Sequence, residues 1–180
     1  LKKYCKKKGK LGVHPDYGLS GIEASTGSLG HGLGIASGLA YSNEKNIIFV
    51  LMSDGEMQEG SVWESALLIS SKKINNIIVI VDCNGLQSST WDKDTHPTLQ
   101  PIHKKFEAFG WQAEECDGHN VIQILEKIKK KKQNKPFALI AKTKKGYPIS
   151  FMKNNPIWHY RSPNKNELKL ALRELEKYAK

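Results

Sequence analysis

The chain has 180 residues, 39% of them hydrophobic and 26% charged, with a net charge of +10. That suffices for one α/β domain with a substantial core and is too apolar for a disordered chain. No apolar run is long enough to span a bilayer, and no apolar segment follows the lysine-rich start as in a signal peptide, so the expectation is a cytoplasmic protein with no membrane partner.

Residues 1–10 read as a basic helix end or a disordered lead-in. The lysines there and in 127–135 carry no interleaved aromatics and no recognition motif, so a solvated face is the preferred reading over nucleic acid. Gly12-Val13-His14-Pro15-Asp16 is a loop, because proline pushes His14 towards an extended backbone. A helix is predicted from Gly27-Ser28-Leu29-Gly30-His31-Gly32 to about residue 42, with Leu29, Leu33, Ala36 and Ala40 on one face. Its glycines imply close approach by a ligand or by another helix. A dinucleotide fingerprint must follow a strand, and the polar stretch 20–28 is a poor one.

Two Ile/Val-rich runs follow, 46–53 and 76–82, each ending in a glycine-containing turn. They read as parallel strands buried on both faces. Between them Val62, Trp63, Ala66, Leu67, Ser70 and Ile74 keep close to helical spacing, and Glu59 is expected in the first turn, where the helix dipole favours negative charge. Residues 88–100 form a loop and 102–109 a short helix. A strand at 111–116 leads into the turn Asp117-Gly118-His119-Asn120, with His119 structural and Asn120 an N-cap. Val121, Ile124, Leu125 and Ile128 mark the apolar face of the next helix, 136–143 a further strand, and 151–159 a loop. Asn166 is expected to cap a final helix with Leu168, Ala171, Leu172 and Leu175 on one side. Cys5, Cys83 and Cys116 form no metal or disulfide pattern, which suits a reducing compartment, and Cys83 is expected to pack near the first strand-end turn.

The architecture implied is a three-layer α/β/α fold with a mostly parallel sheet. Ligands in such sheets sit beyond the carboxyl ends of the strands. Asp54 and Asn84 occupy two of those ends, thirty positions apart (84 − 54), about one strand–helix–strand repeat. A carboxylate and an amide oxygen are hard donors suited to Mg²⁺ or Ca²⁺. Gly55 lets a phosphate approach the backbone, and the helix start beyond it favours an anion. An ordinary capped turn after a buried strand is the competing account.

Ser53-Asp54-Gly55-Glu56 followed by Asn84 resembles the thiamin-diphosphate motif, and the surrounding sequence resembles transketolase. Gly27-Ser-Leu-Gly-His-Gly-Leu33 is similar to its glycine-rich helix start and Asp54-Gly-Glu-Met-Gln-Glu-Gly60 to its diphosphate turn. Phe151-Met-Lys-Asn-Asn-Pro-Ile-Trp-His159 is similar to the form in stand-alone N-terminal subunits. The resemblance runs from about residue 12 to residue 166. It implies thiamin diphosphate and Mg²⁺ (or Ca²⁺), with Asp54, Asn84 and the Leu86 carbonyl on the metal. Gly55 and Glu56 then lie at the diphosphate, and Gly27 and Leu29 beside the cofactor rings. His14 and His159 reach cofactor and sugar, and Glu59 lies at the subunit boundary facing the activating glutamate. Without the resemblance His14 reads as an exposed loop residue, Gly27 and Leu29 as helix packing, and Glu59 as a dipole partner.

The activity implied is transfer of a two-carbon ketol unit between sugar phosphates. The family's pyrimidine-binding domain has no counterpart in 1–180, so a separate C-terminal transketolase subunit is expected, in a heterotetramer or dimer. A family segment that precedes this start is also missing, so the expectation is a fragment or a product lacking that segment. Ser53 stands where the family has glycine, and metal binding is expected to survive it. Another thiamin-dependent synthase, of the deoxyxylulose-phosphate synthase kind, and a non-catalytic paralogue are the alternative readings.

Overall fold

The computed structural model describes residues 4–7 and 9–178, so the lead-in expected over 1–10 lies partly outside the described residues. In chain order the elements are α1 (His31–Ser42), β1 (Ile48–Ser53), a 3-10 turn (Gly55–Gln58), α2 (Gly60–Ser71), β2 (Ile77–Cys83), β3 (Leu86–Gln87), β4 (Thr90–Trp91), α3 (Asp92–Thr95) and α4 (Ile102–Ala108). β5 (Gln112–Asp117), α5 (Val121–Lys129), β6 (Phe137–Lys142), a second 3-10 turn (Pro156–His159) and α6 (Lys165–Tyr178) complete them. Four parallel strands form the main sheet in the order β1-β2-β6-β5, and β3 pairs antiparallel with β4 in a separate ribbon. The α/β class with a mostly parallel sheet is as expected.

One sheet face, carrying Val50, Met52, Val79, Val81, Ala138 and Ile140, packs on α1, α2 and α4 in the larger core. Trp111 anchors it. Its ring is buried against Phe106 (centroids 5.1 Å), and its Nε1 donates to the Ala66 carbonyl of α2 at 2.9 Å. Trp63 of α2 adds contacts to Phe106 at 5.4 Å and Phe109 at 5.9 Å. Aromatic pairs of this kind contribute about 0.5–1.5 kcal/mol each beyond burial. The opposite face, carrying Ile78, Phe137, Leu139 and Cys116, packs on Ile124 and Ile128 of α5.

Several faces differ from expectation. β2 is buried almost throughout, but β1 is an edge strand whose Phe49 and Leu51 point away from the larger core and stay exposed, Leu51 at 77%. α5 covers the β5–β6 half of that face and does not reach them. In α2 the buried residues are Val62, Ala66 and Ile69, while Leu67 is exposed and Ile74 lies in the turn beyond the helix. α1 begins only at His31, because Gly30 takes a left-handed backbone (φ 80°) and breaks the run. Leu29 therefore precedes the helix and is exposed, whereas Leu33, Ala36 and Ala40 are buried. In α5 Val121 and Leu125 are exposed, and only Ile124 and Ile128 pack. Asn164, not Asn166, caps α6: its Oδ1 accepts from the Asn166 N–H at 2.9 Å and the Glu167 N–H at 3.0 Å. Of the expected α6 face only Ala171 is buried. The loop expected over 88–100 contains the end of the β3–β4 hairpin and the α3 turn.

Candidate functional site

The site is built where β1 and β2 end side by side, with Ser53 opposite Asp82. The Asp54 N–H donates to the Asp82 carbonyl at 3.2 Å, which extends the pairing by one residue. The chain then turns sharply into the 3-10 segment. The Asp54 Oδ1 accepts from the Gly55 N–H at 2.9 Å and its Oδ2 from the Gly85 N–H at 2.6 Å. One fully buried carboxylate thus ties the two strand-end loops together. Asn84 is half-buried and makes an Asx turn, its Oδ1 accepting from the Leu86 N–H at 3.0 Å. Gly85 needs its left-handed φ of 77° to complete that turn. A Cβ at Gly55 would lie 3.0 Å from the Gln87 Cβ, so glycine is what lets the two loops close.

Asp92 is a functional candidate that sequence reasoning missed. The β3–β4 hairpin returns the chain so that the Asp92 N–H donates to the Gly85 carbonyl at 3.0 Å. Its side chain is buried and faces Asp54. When both are ionised neither carboxylate has a donor to offer the other, and both Asp92 oxygens then lack a hydrogen-bond partner; a proton kept on Asp54 can be donated to Asp92. A buried, unpaired charge is costly unless a cation compensates it. Burial pushes the Asp54 carboxyl up to about 7. The Gly85 N–H works against that rise, and the neighbouring Asp92 adds to it. Burial also raises Asp92. Among the described residues no three His, Cys, Asp or Glu side chains come together as a metal cluster. The donors present are two carboxylates, an amide oxygen and backbone carbonyls, a hard-oxygen set that fits Mg²⁺ or Ca²⁺ completed by phosphate or water.

A pH dependence follows for the metal-free chain. Between about 4, the ordinary aspartate value, and about 7 the folded state keeps the Asp54 proton that the unfolded chain has released. Folding stability therefore falls as pH rises through that window, and the penalty is complete above it. Thermal melts in chelator from pH 5 to 8 should show this fall in the wild-type chain and a smaller one in Asp54→Asn. Parallel profiles for the two chains would contradict it.

The glycine-rich segment sits directly on this turn. The Glu56 Oε1 accepts from the Gly30 N–H at 2.8 Å, and the Ser61 hydroxyl donates to the Gly30 carbonyl at 3.0 Å. The His14 ring lies against Gly27, where a Cβ would come within 3.3 Å of it. His14 and Gly27 thus touch, the exposed Leu29 follows them in the chain, and Glu56 joins the segment to the Asp54 turn through Gly30. Glu59 is the N-cap residue of α2 and not part of its first turn as expected; its side chain is exposed and flanks Gly30.

Ser53 has a local use. Its hydroxyl accepts from the Glu56 N–H at 3.2 Å and stiffens the 3-10 turn. Ser53→Ala should cost about 1 kcal/mol in urea unfolding, the ordinary worth of such a bond, while any ligand affinity of the site changes less than about threefold. A loss of tenfold or more in affinity would mean that the hydroxyl touches the ligand.

Among the described residues His159 makes no hydrogen bond to this cluster. It ends the second 3-10 turn, exposed, with Tyr160 at 4.6 Å between ring centroids. Slight burial and Lys145, which follows β6 at the same end of the sheet, lower its pKa. The Cys83 thiol is buried, accepts from the Gln100 Nε2 at 3.3 Å, and is held protonated chiefly by burial. His119 is structural as expected: its Nε2 accepts from the Lys144 N–H at 2.9 Å and its ring packs on Tyr147.

The family model for the transketolase thiamine diphosphate binding domain matches residues 1–175. The chain is 43% identical over 173 residues to an apulose-4-phosphate transketolase subunit of Actinobacillus succinogenes, covering 93% of this chain and 62% of that protein. It is 33% identical over 163 residues to the 6-deoxy-6-sulfo-D-fructose transketolase subunit SqwG of a Clostridium species, covering 87% of this chain and 59% of that one. The chain thus spans about three fifths of the length of these relatives. The crystal structure of the Campylobacter jejuni transketolase superposes with a TM-score of 0.86 at 25% identity, over 96% of this chain and 29% of that one.

Proposed function

Because the chain belongs to the transketolase family through its thiamine-diphosphate-binding domain, we propose that it is the N-terminal subunit of a split transketolase. In this reading it binds thiamin diphosphate with Mg²⁺ or Ca²⁺ and acts with a C-terminal transketolase subunit to move a two-carbon ketol unit between sugar phosphates. The observation that carries the reading is the buried Asp54 carboxylate joined to the Gly85 N–H, beside Asn84, at the ends of two adjacent strands. Asp54, the Asn84 side chain and the Leu86 carbonyl would hold the cation, which neutralises the diphosphate. The backbone at Gly55 and Glu56 lies at the start of that turn and would receive the phosphate. Bound thiamin diphosphate supplies the carbanion chemistry of ketol transfer.

The remaining roles belong to orientation and exclusion of water. Gly27 and Leu29 would border the cofactor rings, and His14, packed on Gly27, would face the sugar. His159 would join them from the loop beyond β6, and Glu59, exposed beside Gly30, would reach towards the partner's activating glutamate. Val13, Tyr17 and Leu29 are exposed apolar side chains of the segments leading to α1. A partner subunit covering them would dry the site. Relatives named as single subunits of a transketolase support such a division, in a two-fold heterotetramer or a dimer. Free Cys5, Cys83 and Cys116 support a place in the cytoplasm.

Calorimetric titration of thiamin diphosphate with Mg²⁺, with and without the C-terminal subunit, tests the reading. Saturable binding and ketol transfer only with the partner are expected. Full transfer by this chain alone would overturn the division of labour, and no binding under either condition would support a non-catalytic paralogue.

A further inference from the structure

We propose that Asp92 is a second cation-holding carboxylate of this chain, and that with it the site takes up a divalent cation before thiamin diphosphate arrives. The inference rests on the cation site of the proposed function. Asp92 is 3% exposed and both its carboxylate oxygens are buried without a hydrogen-bond partner. Its backbone is fixed: its N–H bonds the Gly85 carbonyl, one residue past Asn84, and the Leu86–Trp91 pairing sets the return of the chain. The carboxyl faces Asp54, whose own oxygens bond the Gly55 and Gly85 N–H groups.

The cationic side chains nearby are engaged elsewhere or make no bond to it. Lys93 lies over the Trp91 ring at 5.6 Å, and Lys142 pairs with Glu115 at 3.1 Å. His96 lies close enough to act on Asp92 by charge, without a hydrogen bond to it. A proton held on Asp54 can bridge the pair, and once both carboxylates are ionised a divalent cation between them is the partner that satisfies this arrangement. A site with one carboxylate leaves half of the charge on Mg²⁺ to be met by the diphosphate. Two carboxylates supply −2 from the protein, enough to neutralise the ion with no cofactor present.

The test uses Mn²⁺ as the probe and reads the free ion by its electron paramagnetic resonance signal. The full chain, Asp92→Asn and Asp54→Asn are titrated with Mn²⁺ alone and again with thiamin diphosphate. The wild-type chain should bind Mn²⁺ alone, and Asp92→Asn should weaken that binding at least about tenfold. With thiamin diphosphate present the loss should shrink, because phosphate oxygens replace the missing donor. The metal-free Asp92→Asn chain should melt higher than wild type, since the variant removes a buried charge. A purely structural aspartate would do the reverse, lowering the melting temperature and leaving Mn²⁺ affinity alone.

Equal Mn²⁺ affinity in wild type and Asp92→Asn overturns the proposal. So does a wild-type chain that binds no Mn²⁺ without thiamin diphosphate, a result independent of how well any variant folds. Mn²⁺ uptake that depends on Asp92, with no binding of thiamin diphosphate even beside the partner subunit, would sustain the cation site and sink the transketolase reading instead.

Discussion

Asp54→Ala is expected to weaken binding of magnesium thiamin diphosphate by about a thousandfold, the largest effect of any single change at the site. The side chain does two jobs. It presents negative charge where the cation would sit, and it accepts the Gly55 and Gly85 N–H groups that hold the two strand-end loops together. Truncating one partner of a buried, hydrogen-bonded charge costs roughly 2–5 kcal/mol. About 4 kcal/mol corresponds to about three factors of ten in affinity. Asp54→Asn retains an acceptor oxygen, so it should keep more of the loop geometry while still losing the charge. The order of the stability changes separates these contributions. Without metal at pH 8, Asp54→Asn removes a buried charge facing Asp92 but orphans one of the two backbone donors, so it should be more stable than Asp54→Ala, which orphans both. Calorimetry on both variants, paired with thermal melts in chelator, checks the pattern. A fall in affinity of less than tenfold in Asp54→Ala would remove the aspartate from the metal.

Gly30→Ala should be the most damaging substitution in the glycine-rich segment, at about 3 kcal/mol of stability. Gly30 has φ of 80°, and a Cβ there would lie 2.5 Å from the Ser61 Oγ and 2.7 Å from the Glu59 Cβ. The left-handed backbone costs an L-residue about 1–2 kcal/mol. Overpacking adds about 1–3 kcal/mol, because the Ser61 hydroxyl can rotate away but the Glu59 Cβ is fixed to the backbone. Against a typical stability of about 5–15 kcal/mol this is a large share. Pushing Gly30 away would also break its N–H bond to Glu56 and uncouple the segment bearing Gly27 and Leu29 from the Asp54 turn. Cofactor affinity should fall with stability. Gly32→Ala serves as the control, because a Cβ there meets only the Val50 Cγ1 at 3.9 Å. Equal effects from the two substitutions in urea unfolding would contradict this account.

The strands and the metal candidates were legible in the sequence for one reason. Long Ile/Val runs ending in Asp-Gly and Asn-Gly fix both the parallel pairing and which residues stand at the carboxyl tips. The sequence was less informative about what covers each apolar face. Phe49 and Leu51 alternate with buried neighbours along β1, and Val121 and Leu125 follow helical spacing in α5, yet all four are exposed. Periodicity identifies an apolar face and says nothing of whether another element lies over it. Asp92 was illegible because its burial depends on a hairpin without the usual glycine. Ser88 takes the left-handed backbone (φ 47°) in the two-residue turn, a conformation that serine rarely signals. The start of α1 was misjudged for the converse reason, since Gly30 acts as its left-handed N-cap while the residues around it keep an apolar rhythm.

Anomalous diffraction from crystals of this chain with its partner, grown with Mn²⁺ and thiamin diphosphate, addresses the metal assignment directly. A single strong peak is predicted beyond the ends of β1 and β2, with a carboxylate oxygen of Asp54, the amide oxygen of Asn84 and the Leu86 carbonyl all within about 2.4 Å. A peak elsewhere on the chain, with Asp54 still engaged only by the Gly55 and Gly85 N–H groups, would contradict it.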